Sequence, residues 1–338
     1  MWHGLSEALA RGRIVTAPDL GGARVLITGG TGFIGRNLAA GCVRQGADVA
    51  VLARTLESPG CPDDVAVLCA DLRERVSVAR ALDGRVFDFV FNLGGYVDHT
   101  PYFAGGRDVV EQHLTGMMNL IDALDQSVLR GFVQVGSSDE YGNKQVPQSG
   151  SSGFPPISPY AFAKRACSDL VRALASQEGF PGAVARLFLV YGPGQGASRL
   201  LPQVVRACLR DETLAVSPGE QTRDFCYIDD VVDGLVLAAV TPQAHGSALN
   251  IASGQPVRIR DVIESVVRLV GSGRPEFGAR PYRQGESMAL FADISHTSAL
   301  LGWRPTTPLE DGLARTVAAH RAELAPIPAS QSAQAEHE

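Results

Sequence analysis

The sequence predicts an α/β protein: a doubly wound parallel sheet followed by a smaller carboxyl-terminal lobe. Two observations lead there. From Ala23 onward, apolar runs of strand length alternate with helical stretches, and a glycine-rich turn joins the first run to the first helix. Such alternation implies parallel pairing with right-handed crossovers. A chain of 338 residues, 45% apolar and 20% charged, has room for such a sheet and a second lobe.

The elements follow in order. The first strand is Arg24 to Thr28, the first helix Phe33 to Gln45, and the second strand Asp48 to Ala53. Further buried strands are expected at Val65 to Cys69, Phe87 to Leu93, Gly131 to Gly136 and Ala183 to Val190, with helices at Arg73 to Leu82, Asp108 to Leu124 and Tyr160 to Ser176. After Tyr191-Gly192-Pro193-Gly194 the order is less regular. Helices are expected at Arg199 to Leu209, Ile228 to Ala239 and Ile259 to Val270, and strands at Leu214 to Val216 and Ala248 to Ile251. The expected organisation is an extension (1–22) with a short helix from Leu5 to Arg11, a first domain (23–190, with 225–254 returning to it), a second lobe (191–224 and 255–322) and a flexible tail (323–338).

Composition removes several classes of function. The chain carries 36 acidic and 30 basic residues, a net charge of -6, and has no basic run, so nucleic acid and membrane surfaces are not expected partners. Six scattered cysteines lack Cys-x-x-Cys spacing, so neither a disulfide framework nor a metal site is expected. Met1 to Glu7 lack the basic and apolar regions of a secretory signal, and no apolar run reaches membrane-spanning length, which makes the cytoplasm the expected compartment.

Gly29-Gly30-Thr31-Gly32-Phe33-Ile34-Gly35 lies between a predicted strand and a predicted helix, the context of a dinucleotide-binding turn. Gly29 permits the turn, Gly32 lets the backbone approach a pyrophosphate, and Gly35 lets the helix pack on the sheet. Thr31, Phe33 and Ile34 complete the loop whose free N–H groups face the phosphates. The fold class is therefore Rossmann-type. Where an NAD enzyme presents Asp or Glu to the ribose, this chain has Arg54 after the second strand. An arginine there suits a 2′-phosphate and favours NADP(H), with NAD(H) possible; the alternative is that Arg54 stacks on adenine or faces water. Asp71 is placed to accept from the adenine or to cap the next helix, and Leu72 and Leu93 are the further cofactor-lining candidates.

Tyr160 and Lys164 follow Ile157-Ser158-Pro159, a helix-start signature, so they share one face a turn apart. A free tyrosine is a poor proton acceptor at neutral pH, and a nearby ammonium favours its phenolate. The strand ending at Val135 runs into Gly136-Ser137-Ser138-Asp139-Glu140, and a serine hydroxyl at that strand end is suited to bonding the reacting oxygen. The residues thus point to an enzyme that moves a hydride and a proton at a carbinol or carbonyl carbon.

With these residues in place, the chain resembles the extended short-chain dehydrogenase/reductases, specifically the nucleotide-sugar epimerases, dehydratases and 4-ketoreductases. The resemblance spans about 23 to 320 and rests on the glycine turn, Tyr160-x-x-x-Lys164, Arg186-Leu-Phe-Leu-Val-Tyr-Gly-Pro193, Arg223-Asp-Phe-Cys-Tyr-Ile-Asp-Asp230, Leu249-Asn-Ile-Ala-Ser-Gly254 and Leu301-Gly-Trp-Arg-Pro305. It implies an NAD(P) cofactor, a Ser/Thr-Tyr-Lys triad, a nucleotide sugar held between two lobes, and a homodimer built on Asp108 to Leu124 and Tyr160 to Ser176. Carried over by residue, Tyr160 is the acid/base, Lys164 its tuner and ribose contact, and Ser137 the triad hydroxyl, with Ser138 replacing it if the loop has lost a residue. Asp139, Arg223 and Arg283 become substrate-binding candidates. Leu189 and His113 depart from the family pattern, each standing where relatives usually have Asn.

Three reactions compete: 4-epimerisation, 4,6-dehydration and 4-ketoreduction of a nucleotide-linked, possibly deoxy, hexose. Arg54 and the stretch from Pro275 to Met288 favour an NADPH-dependent 4-ketoreductase, with an NAD-dependent 4-epimerase as the alternative, then a dehydratase, then a non-catalytic dinucleotide-binding protein.

Overall fold

The computed structural model describes residues 20–56, 60–150, 155–283 and 285–324. In chain order these open with β1 (Arg24–Thr28), α1 (Phe33–Arg44), β2 (Asp48–Ala53), β3 (Ala66–Cys69), α2 (Arg75–Leu82) and β4 (Phe89–Asn92). Then come α3 (Gly106–Val110), a π-helical turn (Glu111–Thr115), α4 (Gly116–Ala123), β5 (Gly131–Ser137), α5 (Pro159–Glu178), β6 (Gly182–Leu187) and β7 (Leu189–Tyr191). The remainder is α6 (Leu200–Leu209), β8 (Thr213–Val216), β9 (Thr222–Tyr227), α7 (Ile228–Val240), β10 (Ala248–Ile251), β11 (Pro256–Arg258), α8 (Ile259–Val270), β12 (Arg274–Phe277), β13 (Ala289–Leu290), α9 (Ser295–Leu301) and α10 (Leu309–Leu324).

Seven strands form one parallel sheet in the order β10-β6-β5-β4-β1-β2-β3. Its strands are mostly apolar because helices cover both faces: Val25, Leu26, Ile27, Val90, Phe132, Val133 and Val184 are fully buried. Strand order reverses between β1 and β4, and a sheet of this kind opens its ligand crevice at that point, beyond the carboxyl ends of the strands. A buried polar chain fixes those ends. Thr28 Oγ1 donates to Asn92 Oδ1 (2.6 Å), Asn92 Nδ2 donates to Gln134 Oε1 (2.7 Å), and Gly94 N–H donates to Thr28 Oγ1 (2.9 Å). Each group is paired, so burial carries no unsatisfied-donor cost, and β1, β4 and β5 are held in mutual register.

The described residues divide into two units: one of 20–190, 222–257 and 287–306, the other of 191–221, 258–286 and 307–324. The first holds the large sheet and the smaller β11-β9-β13 sheet, to which β7 adds by pairing with β9. The second packs α6, α8 and α10 together, with β8 and β12 paired in parallel. Thr222 to Asp224, residues 255–257 and residues 287–306, expected in the second lobe, belong instead to the first unit. Ala292 N–H donates to the buried Asp224 carboxylate, and Trp303 Nε1–H donates to Asp230 O, which ties that late segment to β9 and α7.

Three further expectations are corrected. The helix expected at Asp108 to Leu124 is interrupted by the π-turn, which carries His113 inward. The strand expected to run to Val190 ends at Leu187, and β7 joins the other sheet. Residues 323 and 324, expected in the tail, belong to α10, and the rest of the expected tail lies outside the described residues. Of the expected extension, Leu20 is buried and bonded through its N–H to Gln45 O, while the Leu5 to Arg11 helix lies outside the described residues. No helix among the described residues is long and apolar enough to cross a membrane.

Candidate active site

Along the carboxyl edge of the sheet, the glycine turn leaves β1 and meets the exit of β4. A Cβ on Gly29 (φ +67°) would stand 2.8 Å from Leu93 O, and one on Gly35 would stand 2.2 Å from Gly29 O, so only glycine fits at either place. Gly32 differs: its Cβ would meet only Gly29 O at 3.3 Å, and the position is exposed. Inside the fold a Cβ at 32 would meet mild crowding from that one oxygen, far less than at 29 or 35, whereas close approach of the backbone to a ligand would demand glycine there. The N-cap of α1 is Gly32 with no side-chain cap, and the first turn (Phe33, Ile34, Gly35) has no acidic residue, which leaves N–H groups and the dipole free for an anion.

Leu72 is buried beside the β4 exit, where a Cβ on Gly94 would come within 2.5 Å of its Cδ1. Asn119 Nδ2 holds Leu72 O at 2.8 Å. Asp71 is drawn by Arg73, whose Nη2 lies 2.6 Å from Oδ2, and this bond holds the Asp71 carboxyl below its usual range, with Arg54 adding a smaller attraction. Arg54 itself is exposed just beyond β2. Together these line the half of the crevice at β1, β2 and β4 with groups suited to a dinucleotide.

On the other half, α5 delivers Tyr160 and Lys164. Ser158 caps the helix by accepting Ala161 N–H (3.1 Å), Pro159 occupies the first turn, and Gly179 ends the helix at φ +72°. Tyr160, Ala163, Lys164, Cys167 and Val171 form its buried face. Lys164 Nζ donates to Val135 O at 2.9 Å and stands 6.0 Å from the centre of the Tyr160 ring. Burial pulls the Lys164 ammonium below its ordinary range. The Tyr160 ring is edge-on to two imidazoles, His99 and His113, each with its centroid 5.5 Å away, at 67° and 71°. His113 Nε2–H donates to Tyr96 O (3.0 Å), and burial first, then Lys164, depress its pKa to about 3, so its ring is neutral.

Ser137 closes β5 and caps the short 3₁₀ turn Ser138–Tyr141. Its Oγ accepts Asp139 N–H (3.2 Å) and its own N–H donates to Glu140 Oε1 (2.8 Å). Ser138 is buried, and Ser137 is the more accessible of the pair. Glu140 and Arg186 are both fully buried and joined at 2.8 Å, with Arg186 Nη1 donating to Gly150 O. Asp139 Oδ2 accepts from His99 Nε2–H at 2.7 Å.

A model of the NAD dependent epimerase/dehydratase family matches residues 25–252. The chain belongs to this family. It is an extended short-chain dehydrogenase/reductase, and the NAD the family is named for fits the glycine cradle, where the free first turn of α1 would take the phosphates. UDP-glucuronic acid decarboxylase 1 of Xenopus tropicalis is 29% identical over 317 residues, covering 89% of this chain and 73% of that one. UDP-glucose 4-epimerase of Streptomyces lividans is 26% identical over 302 residues, covering 84% and 92%. The solved structure of MoeE5 in complex with UDP-glucose and NAD is 28% identical, with a TM-score of 0.79 over 89% of this chain and 100% of that one.

Of the residues singled out in the sequence, Tyr160, Lys164, Ser137, Ser138 and Asp139 converge at the β5 exit, and Gly29 to Gly35, Leu72 and Leu93 at the β1 and β4 exits. Arg223 is buried in β9 with Nη1 donating to Thr222 O, and Arg283 is exposed in the second unit. Sequence reading passed over His99, the Glu140–Arg186 pair and the Thr28–Asn92–Gln134 chain. For the last, the signal was a polar residue at or near the end of each apolar strand.

Proposed function

We propose that this chain is an NAD-dependent nucleotide-sugar 4-epimerase, which oxidises carbon 4 of a nucleotide-linked hexose and reduces the resulting ketone on its other face. The observation that carries this reading is the convergence of Tyr160, Lys164 and the Ser137 hydroxyl at the β5 exit of a sheet whose β1 exit carries the glycine cradle. Support comes from the Streptomyces lividans relative, a UDP-glucose 4-epimerase by name, and from MoeE5, which holds UDP-glucose and NAD.

In this mechanism the Tyr160 phenolate takes the proton of the carbon-4 hydroxyl, and Ser137 Oγ bonds the same oxygen. The NAD ring supplies the hydride acceptor and then the donor. Lys164 stabilises the phenolate electrostatically, and its bond to Val135 O keeps the ammonium at that depth beside the ring. Once the keto sugar has turned over, Tyr160 returns the proton to the carbon-4 oxygen. No net redox change results, so one cofactor molecule serves repeated turnovers.

Arg54 favours the second reading, a 4-ketoreductase consuming NADPH, because it stands exposed beyond β2 with Asp71 already engaged by Arg73. One experiment separates the two. The purified chain is denatured, the released dinucleotide is identified by mass spectrometry, and UDP-glucose and UDP-glucuronic acid are followed by NMR with catalytic NAD. Epimer formation that falls about 100-fold or more in Y160F supports the epimerase. Turnover only with stoichiometric NADPH would replace it with the reductase.

A further inference from the structure

A buried ion pair stands directly behind the Ser137 hydroxyl. The side chains of Glu140 and Arg186 are 0% and 1% exposed and meet at 2.8 Å. A pair buried this deeply adds little stability over apolar residues of similar size, because desolvating two charges offsets most of their attraction. What it supplies is direction. Arg186 Nε–H donates to Glu140 Oε2 and Ser137 N–H donates to Oε1, both at 2.8 Å, so each carboxylate oxygen has its own donor. Arg186 is fixed in turn, since Nη1 donates to Gly150 O at 3.0 Å and the guanidinium lies 4.7 Å from the centre of the Tyr141 ring. The carboxylate packs on the strand itself: a Cβ on Gly136 would stand 2.3 Å from Oε1, so glycine at 136 is what admits it beneath Ser137. The backbone N–H of Ser137 is therefore committed to Glu140, while its Oγ accepts Asp139 N–H at 3.2 Å. A hydroxyl has one proton to donate and two lone pairs. Asp139 occupies one lone pair, and among the described residues no group accepts the Ser137 hydroxyl proton, which leaves O–H as the donor that faces a ligand.

We propose that Glu140, clamped by Arg186, is a positioning residue: it fixes Ser137 so that the hydroxyl donates a hydrogen bond to the carbon-4 oxygen of the sugar. The proposal rests on the reading of Ser137 as the triad hydroxyl. Charge develops on the carbon-4 oxygen as Tyr160 removes its proton, and develops there again when the ketone is reduced. A donor already in place stabilises that charge in both directions without having to reorganise. Ser137 keeps its own proton throughout, so the proton that Tyr160 takes is the proton it returns. The ion pair makes no contact with the sugar in this scheme; it acts only through the strand end that carries Ser137.

The test has two arms. The first is a mutant cycle between E140L/R186M, which replaces the pair by apolar side chains and removes the acceptor of Ser137 N–H, and S137A, which removes the hydroxyl. Each protein is assayed with the sugar nucleotide that the wild type converts, and its Tm is measured alongside. S137A is expected to lower kcat about 100-fold. E140L/R186M is expected to lower kcat about tenfold at little-changed KM, the loss that follows from a misplaced donor. Added to S137A, E140L/R186M is expected to cost nothing more, because the pair acts only through that hydroxyl. A kcat for E140L/R186M within about twofold of wild type, or losses that multiply in the triple variant, overturns the proposal. The second arm needs no turnover: ¹H–¹⁵N NMR follows the Ser137 amide in cofactor-free wild type and in E140D, which keeps the charge but draws the carboxylate back. The amide proton is expected downfield and slow to exchange in the wild type, and upfield and faster to exchange in E140D. A Ser137 amide that is the same in both proteins overturns the proposal. If the wild type converts no nucleotide sugar, the functional reading fails, while this second arm still decides whether Glu140 holds Ser137.

Discussion

His113 makes the stability of the first unit depend on pH with a sign and size that follow from its surroundings. Its pKa falls from 6.5 to about 3 on folding, chiefly because burial disfavours the imidazolium and secondarily because Lys164 repels it. Between those values the unfolded chain binds a proton that the folded chain does not, so stability falls as pH drops below about 6.5. Integrating from pH 7 to pH 5 gives a loss of about 2 kcal/mol from this one group. The assay is urea unfolding at both pH values in wild type and H113Q, both in a W2F background so that fluorescence reports Trp303, which is buried in the first unit. H113Q will lose about 2 kcal/mol less than wild type over the interval, because every other titrating group is common to both. Equal losses in the two proteins would refute the reasoning, since they would mean that His113 takes up its proton in the folded state at ordinary cost.

Two further predictions concern the cradle and the floor of the site. Ala at position 32 will leave thermal stability within about 0.5 kcal/mol of wild type yet weaken NAD binding at least about tenfold by calorimetry, whereas Ala at 35, facing Gly29 O at 2.2 Å, will unfold the cradle and lower Tm sharply. E140Q will destabilise the first unit by about 3–5 kcal/mol in the same unfolding assay, because it leaves Arg186 charged and buried without its partner; E140L/R186M will recover much of that loss.

Legibility in the sequence followed the range of the interactions involved. β1, β2, β10 and α8 have the bounds the sequence suggested; β1, β2 and α8 are apolar or amphipathic runs closed directly by Gly29, Arg54 and Gly271, and β10 is followed, after Ala252, by Ser253 and Gly254. Tyr160 and Lys164 were readable because their relation is a single helical turn. The π-turn at Glu111–Thr115 was not, since the 3.6-residue pattern runs on through it; what shifts there is one hydrogen-bond register, which carries His113 inward against Gly95, whose would-be Cβ lies 2.1 Å from the ring. β12, with sequence Arg-Pro-Glu-Phe and alternating exposure, offered too little apolar signal to be found, and β13 has only two residues. His99 and Asp139 are 40 positions apart, so nothing local in either segment announced their bond.

The same contrast explains why the site can be rigid at one end and adjustable at the other. The glycine turn, the Thr28–Asn92–Gln134 chain and the Glu140–Arg186 pair are backbone or fully buried groups with no alternative partner in reach of water, so they hold the strand ends against deformation. His99 and Asp139 lie partly in water, where exchange of a hydrogen bond is cheap. A phenol that must lose and regain a proton needs a fixed ammonium that stabilises its anion. Lys164 stands on the Tyr160 ring to fill that role, and its burial and its bond to Val135 O keep it there.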